Sequence, residues 1–171
     1  PDYAVAYFNM GNAFLAEKKE NAAIKSYDAA IKIDPYFAEA HHNIGNIQTN
    51  QGEFALAIES LKKASQIKPD IAIFYYDLGI AFTKISRLDS AVESYIKAIK
   101  INPNYFEAHN NLGNVLKDKG EFDAAIERYR LAVQINPNSA DAYYNLGLAL
   151  ECKQDLPSAM KSYDTAANLK L

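Results

Sequence analysis

Residues 106–139 read FEAHNNLGNVLKDKGEFDAAIERYRLAVQINPNS. Apolar side chains recur at helical spacing from Phe106, and a second helical series begins at Glu121. Between them stands Gly120, which can take the left-handed conformation that closes a helix. Pro137 ends the second series, because proline disfavours helical geometry in the residue before it. The stretch therefore predicts a helix, a tight turn, a second helix and a break.

The same 34-residue pattern returns along the whole chain. A fixed period of this length indicates stacked supersecondary units, each of which contacts its neighbours. Small residues at three repeat positions predict that the two helices of each unit cross closely. The recurring positions are Pro1, Pro35, Pro69, Pro103 and Pro137; Gly11, Gly45, Gly79, Gly113 and Gly147; Ala23, Ala57, Ala91, Ala125 and Ala159; and Ala30, Ala64, Ala98, Ala132 and Ala166.

This pattern resembles the tetratricopeptide repeat (TPR) family. The third repeat shows the resemblance through Tyr75, Leu78, Gly79, Phe82, Ala91, Tyr95, Ala98 and Pro103. The resemblance implies an all-α fold, a right-handed α-solenoid of five stacked helix-turn-helix units. We expect one domain over 1–171, with repeats at 4–37, 38–71, 72–105, 106–139 and 140–171.

Three departures from the repeat pattern predict local differences. Gln48 stands where other repeats have Phe or Leu, which leaves the packing of repeat 2 in question. Phe74 replaces an alanine, so its bulk has to fit between repeats 2 and 3. The inter-helix glycine is absent at Lys18, Ser86 and Gln154, and we expect those turns to be less well defined.

Composition and charge argue against several functions. The 171 residues carry a net charge of −3 and show no basic stripe, so we expect no nucleic-acid partner. No apolar run approaches the roughly 20 residues that cross a bilayer, and we predict no membrane association and a cytoplasmic location. Cys152, the single cysteine, excludes an internal disulfide.

Candidate catalytic and metal-binding groups do not assemble in the sequence. His41 and His109 occupy a packing position that is tyrosine in the other repeats, while we expect His42 to face solvent. No nucleophile, base and orienting group recur together, so we predict no enzyme activity, no metal and no cofactor.

The TPR resemblance implies that the first helix of each repeat lines a concave groove that binds an extended protein or peptide. One row of polar residues in that groove repeats every 34 residues, and side-chain amides can both donate to and accept from a peptide backbone. Asp77 interrupts the row, because a carboxylate cannot donate. Alternatively, the row is a solvated remnant of a shared ancestor. The predicted peptide-binding residues are Asn9, Asn12, Asn43, Asn46, Asp77, Asn111, Asn114 and Asn145, with apolar patches at Phe8, Tyr76, Ile80 and Tyr144.

Two known variants of TPR function bear on this prediction. Capture of a C-terminal carboxylate needs cations, and Phe8, Ile73 and Asp77 stand where that mode has its basic residues. We therefore argue against it.

The asparagine row is similar to that of O-GlcNAc transferase arrays, so the alternative is a substrate-recruiting arm of a larger glycosyltransferase-like enzyme. A third hypothesis is a homo-oligomer formed through the uncapped last helix; we expect the chain to be a segment of a longer array.

Overall fold

The computed structural model describes residues 2–170, and of Asp2 only the backbone. Pro1 and Leu171, which begin the proline series and end the fifth predicted repeat, lie outside the described residues. Over this range the chain forms ten α-helices and no strand, which confirms the predicted all-α fold class. The helices are α1 Asp2–Ala16, α2 Glu20–Ile33, α3 Ala38–Asn50, α4 Phe54–Ile67, α5 Ala72–Lys84, α6 Leu88–Ile101, α7 Phe106–Asp118, α8 Phe122–Ile135, α9 Ala140–Cys152 and α10 Leu156–Asn168.

The ten helices divide into two compact units. Unit 1 extends to Ser86 and contains α1–α5, and unit 2 begins at Arg87 and contains α6–α10. In unit 1 each of α1 to α4 packs against the helix that follows it, and in unit 2 the same holds for α6 to α9. None of the helices between residues 2 and 170 has the length and apolar character needed to cross a membrane.

Close helix crossings depend on glycine in the first helix and on a large residue in the second. A Cβ atom added to Gly113 would lie 2.6 Å from the ring of Tyr129, and one added to Gly11 would lie 2.5 Å from the ring of Tyr27. Ala125 and Ala132, the small residues of the second helix in repeat 4, are fully buried. The prediction that small residues bring the helices together is therefore confirmed.

The turns inside the hairpins share one backbone conformation. Gly120 has a φ of +80°, while Lys18 and Gln154 take φ values of 59° and 62° without being glycine. The expectation that the turns without glycine are less well defined is wrong. The turns at Lys18, Gly52, Gly120 and Gln154 make the same hydrogen bond back into the first helix, for example from Lys19 N to Phe14 O at 2.8 Å and from Glu121 N to Leu116 O at 2.9 Å. This bond holds the left-handed residue in place.

The two unusual residues of repeats 2 and 3 are both accommodated. Gln48 is half-buried and accepts a hydrogen bond from Ser60 Oγ at 2.9 Å, so a polar pair replaces an apolar contact. Phe74 is 3% exposed and packs in a cluster with Ala38 and Ala64, two fully buried alanines. Small neighbours thus absorb the added bulk between repeats 2 and 3.

Candidate functional site

Two rows of residues on the first helices make up the predicted peptide site. The first row contains Asn9, Asn43, Asp77, Asn111 and Asn145, and the second row contains Asn12, Asn46, Ile80, Asn114 and Leu148. Members up to Ile80 belong to unit 1 and the others to unit 2. Asn9 and Asn12 are exposed, and the other members of both rows are half-buried.

Two asparagines of the second row accept hydrogen bonds from buried tyrosines in the second helix of the same repeat. Tyr27 and Tyr129 are completely buried, and their hydroxyls donate to Asn12 Oδ1 and Asn114 Oδ1, each at 2.7 Å. Burial raises the pKa of both tyrosines, so the hydroxyls stay protonated donors. In these two repeats the asparagine stabilises the helix pair.

Repeats 2 and 5 replace this contact. Repeat 2 has Leu61 at the tyrosine position, and its Asn46 Nδ2 lies 3.2 Å from His42 Nε2 instead. In repeat 5 Tyr163 donates to Glu151 Oε2 at 2.6 Å, and burial together with this carboxylate raises the pKa of Tyr163 to about 12.

The first row links neighbouring repeats within each unit. Asn43 Nδ2 donates to Asn12 Oδ1 and to Tyr27 Oη, both at 3.2 Å, and Asn145 Nδ2 donates to Asn110 Oδ1 at 3.1 Å. These bonds use the amide N–H groups. The carbonyl oxygens of Asn43 and Asn145 make no hydrogen bond to the described residues.

His42 and Asp77 form the corresponding link between repeats 2 and 3. His42 Nε2 lies 2.6 Å from Asp77 Oδ2, and their side chains are 12% and 15% exposed. The imidazole also packs on Phe74, with ring centroids 4.7 Å apart. The expectation that His42 faces solvent is therefore wrong. The His42–Asp77 separation of 35 residues equals the separation of the hydrogen-bonded pair Asn110–Asn145, so the two contacts occupy equivalent places in the repeat pattern.

The predicted apolar patches differ in accessibility. Phe8 packs between Tyr27 and Phe37, with centroid distances of 5.6 Å and 4.8 Å, and Tyr76 and Ile80 are half-buried. Tyr144 is 52% exposed. Of the four, Tyr144 therefore offers the most accessible ring, and it lines an open pocket of about 450 Å³ between α9 and α10.

His41 and His109 occupy the packing position predicted for them. Their Nε2 atoms lie 3.3 Å from Pro35 O and 3.0 Å from Pro103 O, a contact in which the ring N–H donates. Burial lowers the pKa of both histidines. His109 Nδ1 is buried without a hydrogen-bond partner among the described residues, so the neutral ring is the stable form.

Within residues 2–170 no group of three or more His, Cys, Asp or Glu side chains is positioned to hold a metal ion. Cys152 is exposed at the end of α9. The pattern that does recur is a pair of antiparallel helices with a polar first helix, which places the molecule among helical-hairpin repeat proteins.

A family model described as "TPR repeat" matches residues 11–52, 45–86, 81–120 and 113–151. The chain belongs to the TPR family. No curated protein matches the sequence.

Several solved structures share this fold. A crystal structure of MamA is 32% identical in sequence, covers 94% of each chain and has a TM-score of 0.90. A second MamA structure is 31% identical, covers 99% of this chain and 92% of its own, and has a TM-score of 0.92. YrrB, described as a TPR protein with an unusual peptide-binding site, is 25% identical over 97% of this chain and 86% of its own, with a TM-score of 0.85. The similarity to these TPR proteins supports a protein-interaction scaffold.

Proposed function

We propose that the first-helix face binds an extended peptide and that the first row contacts the peptide backbone. The observation that carries this proposal is the direction of the amides. Asn43 and Asn145 donate their N–H groups to the neighbouring first helix, so their carbonyl oxygens remain as acceptors. The likeness to YrrB, a TPR protein with a peptide-binding site, supports a ligand of this class.

Acceptors of this kind select backbone N–H groups of a ligand. Asp77 then fits the row rather than interrupting it, since its Oδ2 pairs with His42 and its second carboxylate oxygen is a further acceptor. Each neutral hydrogen bond contributes only about 0.5–1.5 kcal/mol, so several repeats have to act together. The proposed role is binding without catalysis, and the first row itself does not discriminate between peptide sequences.

The contribution of the first row to peptide affinity can be measured by removing its side chains. The triple variant Asn43→Ala, Asn111→Ala, Asn145→Ala removes three members of the first row. We expect it to lower the affinity for peptides retained from a random-sequence array by at least about tenfold, because each lost hydrogen bond costs about 0.5–1.5 kcal/mol. Asn9→Ala removes one exposed member of the same row and serves as the single-site comparison, for which we expect the loss of at most one such hydrogen bond.

Backbone recognition has its own test. A retained peptide is resynthesised with single N-methyl groups, which remove one backbone N–H at a time. Loss of binding at alternate positions is expected of a row of acceptors. Unchanged binding by the triple variant, with helical circular dichroism intact, would remove the first row from the mechanism.

A further inference from the structure

Repeats 3 and 4 form a pocket of about 670 Å³ between α6 and α8, which we call the His109 pocket. Its apolar lining comes from Ile99, Leu131 and Ile135, and His109 of α7 also borders it. All of these residues belong to unit 2. The pocket lies against second helices and contains no member of the first or second row. An apolar pocket of this size with few polar groups is typical of a ligand site.

The residue at position 109 leaves the pocket underfilled. Three other repeats have tyrosine at the equivalent position, and an imidazole is smaller than a phenol. His109 is 3% exposed, and its Nε2–H is used in the contact with Pro103 O at 3.0 Å. Its Nδ1 is buried with no hydrogen-bond partner among residues 2–170. In the neutral ring this nitrogen is therefore an acceptor without a donor.

The carbonyl of Ile99 is a second acceptor, and it has lost its helical donor. In an α-helix it would accept from the N–H of residue 103, but Pro103 has no N–H. Repeat 3 shows how the equivalent carbonyl is satisfied. Ser65 also stands four residues before a proline, and its carbonyl oxygen accepts from the Tyr75 hydroxyl at 3.4 Å. His109 occupies the position of Tyr75 and has no hydroxyl for this role.

We propose that the His109 pocket binds a tyrosine side chain of a partner protein. The ring packs against Ile99 and Leu131, and the hydroxyl donates to Ile99 O as the Tyr75 hydroxyl donates to Ser65 O. Because both unpaired groups of the pocket are acceptors, a ligand that brings a donor is favoured over a carboxylate. Tyrosine combines such a donor with an apolar ring. This inference does not depend on peptide binding by the first row.

Repeat 2 explains why the site is specific to repeat 4. It has histidine at the same position, His41, but Lys63 stands where repeat 4 has Leu131. Burial is the main cause that lowers the pKa of His41, and the positive charge of Lys63 adds to it, so this charge lies near the ring. An aromatic ligand in repeat 2 would have to displace water from that ammonium group, which is unfavourable.

The chemistry of the pocket can be tested on the whole chain with para-cresol, which is the tyrosine side chain without its backbone. Amide NMR spectra of the labelled protein report on Ile99, Asn104 and Gln134 at the pocket. We expect saturable shifts at these amides in the millimolar range, and we expect N-acetyltyrosinamide, which carries backbone on both sides, to bind at least as tightly. The methyl ether of para-cresol lacks the donor and should bind about three- to tenfold more weakly, the effect of one neutral hydrogen bond.

Three variants locate the bound ring. His109→Tyr fills the pocket with the chain's own tyrosine and should abolish binding, while the fold is kept because Tyr75 occupies the equivalent position. Leu131→Lys introduces the residue of repeat 2 and should weaken binding by more than about tenfold with His109 in place. His41→Tyr is the matched control, since it makes the same substitution in repeat 2 and should leave binding unchanged.

Other outcomes overturn the inference. If neither probe shifts the pocket amides up to its solubility limit, the pocket is not a site for tyrosine. Undiminished binding by His109→Tyr would place the ring elsewhere, and loss of binding in His41→Tyr would place it in repeat 2. Equal affinity for para-cresol and its methyl ether would remove the hydrogen bond to Ile99 O. Binding of para-cresol without N-acetyltyrosinamide would mean a site for free phenols and not for a partner protein.

Discussion

Repeats 2 and 4 have the same asparagine in the second row and use it differently. In repeat 4 Asn114 accepts from the hydroxyl of the buried Tyr129, whereas in repeat 2 Asn46 lies against His42. The cause is the residue fifteen positions later, which is tyrosine in one repeat and Leu61 in the other. Identical residues at one repeat position can therefore accept from a buried tyrosine in one repeat and contact a histidine of their own helix in another.

The largest expected losses of stability in the two repeats concern the crossing glycines. Gly113→Ala forces a Cβ atom to within 2.6 Å of the rigid Tyr129 ring, and we expect a loss of about 2–3 kcal/mol. Gly45→Ala places a Cβ atom 2.6 Å from Leu61 Cγ and 3.3 Å from the Ala57 carbonyl oxygen, and because an aliphatic side chain can shift where a ring cannot, we expect about 1–2 kcal/mol. Urea denaturation followed by circular dichroism measures both. Equal losses would mean that the ring does not set the packing limit.

The losses expected at the asparagines come next in size, and they also differ between the two repeats. Asn114→Ala leaves the Tyr129 hydroxyl buried without its acceptor, at a cost of about 1–3 kcal/mol. Asn46→Ala removes no such partner and should cost less than about 0.5 kcal/mol. Adding Tyr129→Phe to Asn114→Ala should recover much of the loss, because the unpaired hydroxyl is gone. The same denaturation experiment checks it, and a loss that persists in the double variant would contradict the assigned role.

The smallest expected effect is one in which repeats 2 and 4 should behave alike. Burial lowers the pKa of His41 and His109 in the folded chain, so the unfolded chain takes up protons first as pH falls below about 6.5. Stability should therefore decrease from that pH downwards. His41→Tyr and His109→Tyr, which introduce the tyrosine found at Tyr75, should each flatten the dependence. Urea denaturation midpoints measured between pH 7 and 5 give the dependence of stability on pH. If the midpoints of both variants fell with pH as steeply as those of the unmodified chain, burial of the histidines would not be the cause.

Periodicity in the sequence was sufficient to predict an all-α chain of paired helices and the small residues at their crossings, and within 106–139 it placed both helices to within a few residues. The turns at Lys18 and Gln154 were not predicted, because a backbone hydrogen bond rather than glycine maintains their conformation. The roles of Asn12 and Asn114 depended on a tyrosine in the partner helix. That signal was present in the sequence, since Tyr27 and Tyr129 each follow the asparagine by fifteen residues.

The surface around His42 could be predicted only in part. Its pairing with Asp77 depends on the distance between two repeats, and the imidazole also contacts the ring of Phe74 there. The peptide-binding role of the first row stays a prediction, as does the single domain over 1–171. The hydrogen-bond partner on the neighbouring first helix decides which atom of an amide is left for a ligand, and residue spacing alone does not contain that information.

Cys152 is exposed and is the single thiol in the sequence, next to Glu151 at the rim of the α9–α10 pocket. A maleimide fluorophore can therefore be attached at one known place without engineering the chain. Its emission would report a ligand that reaches the neighbouring pocket, which turns occupancy of this surface into an optical signal in dilute solution.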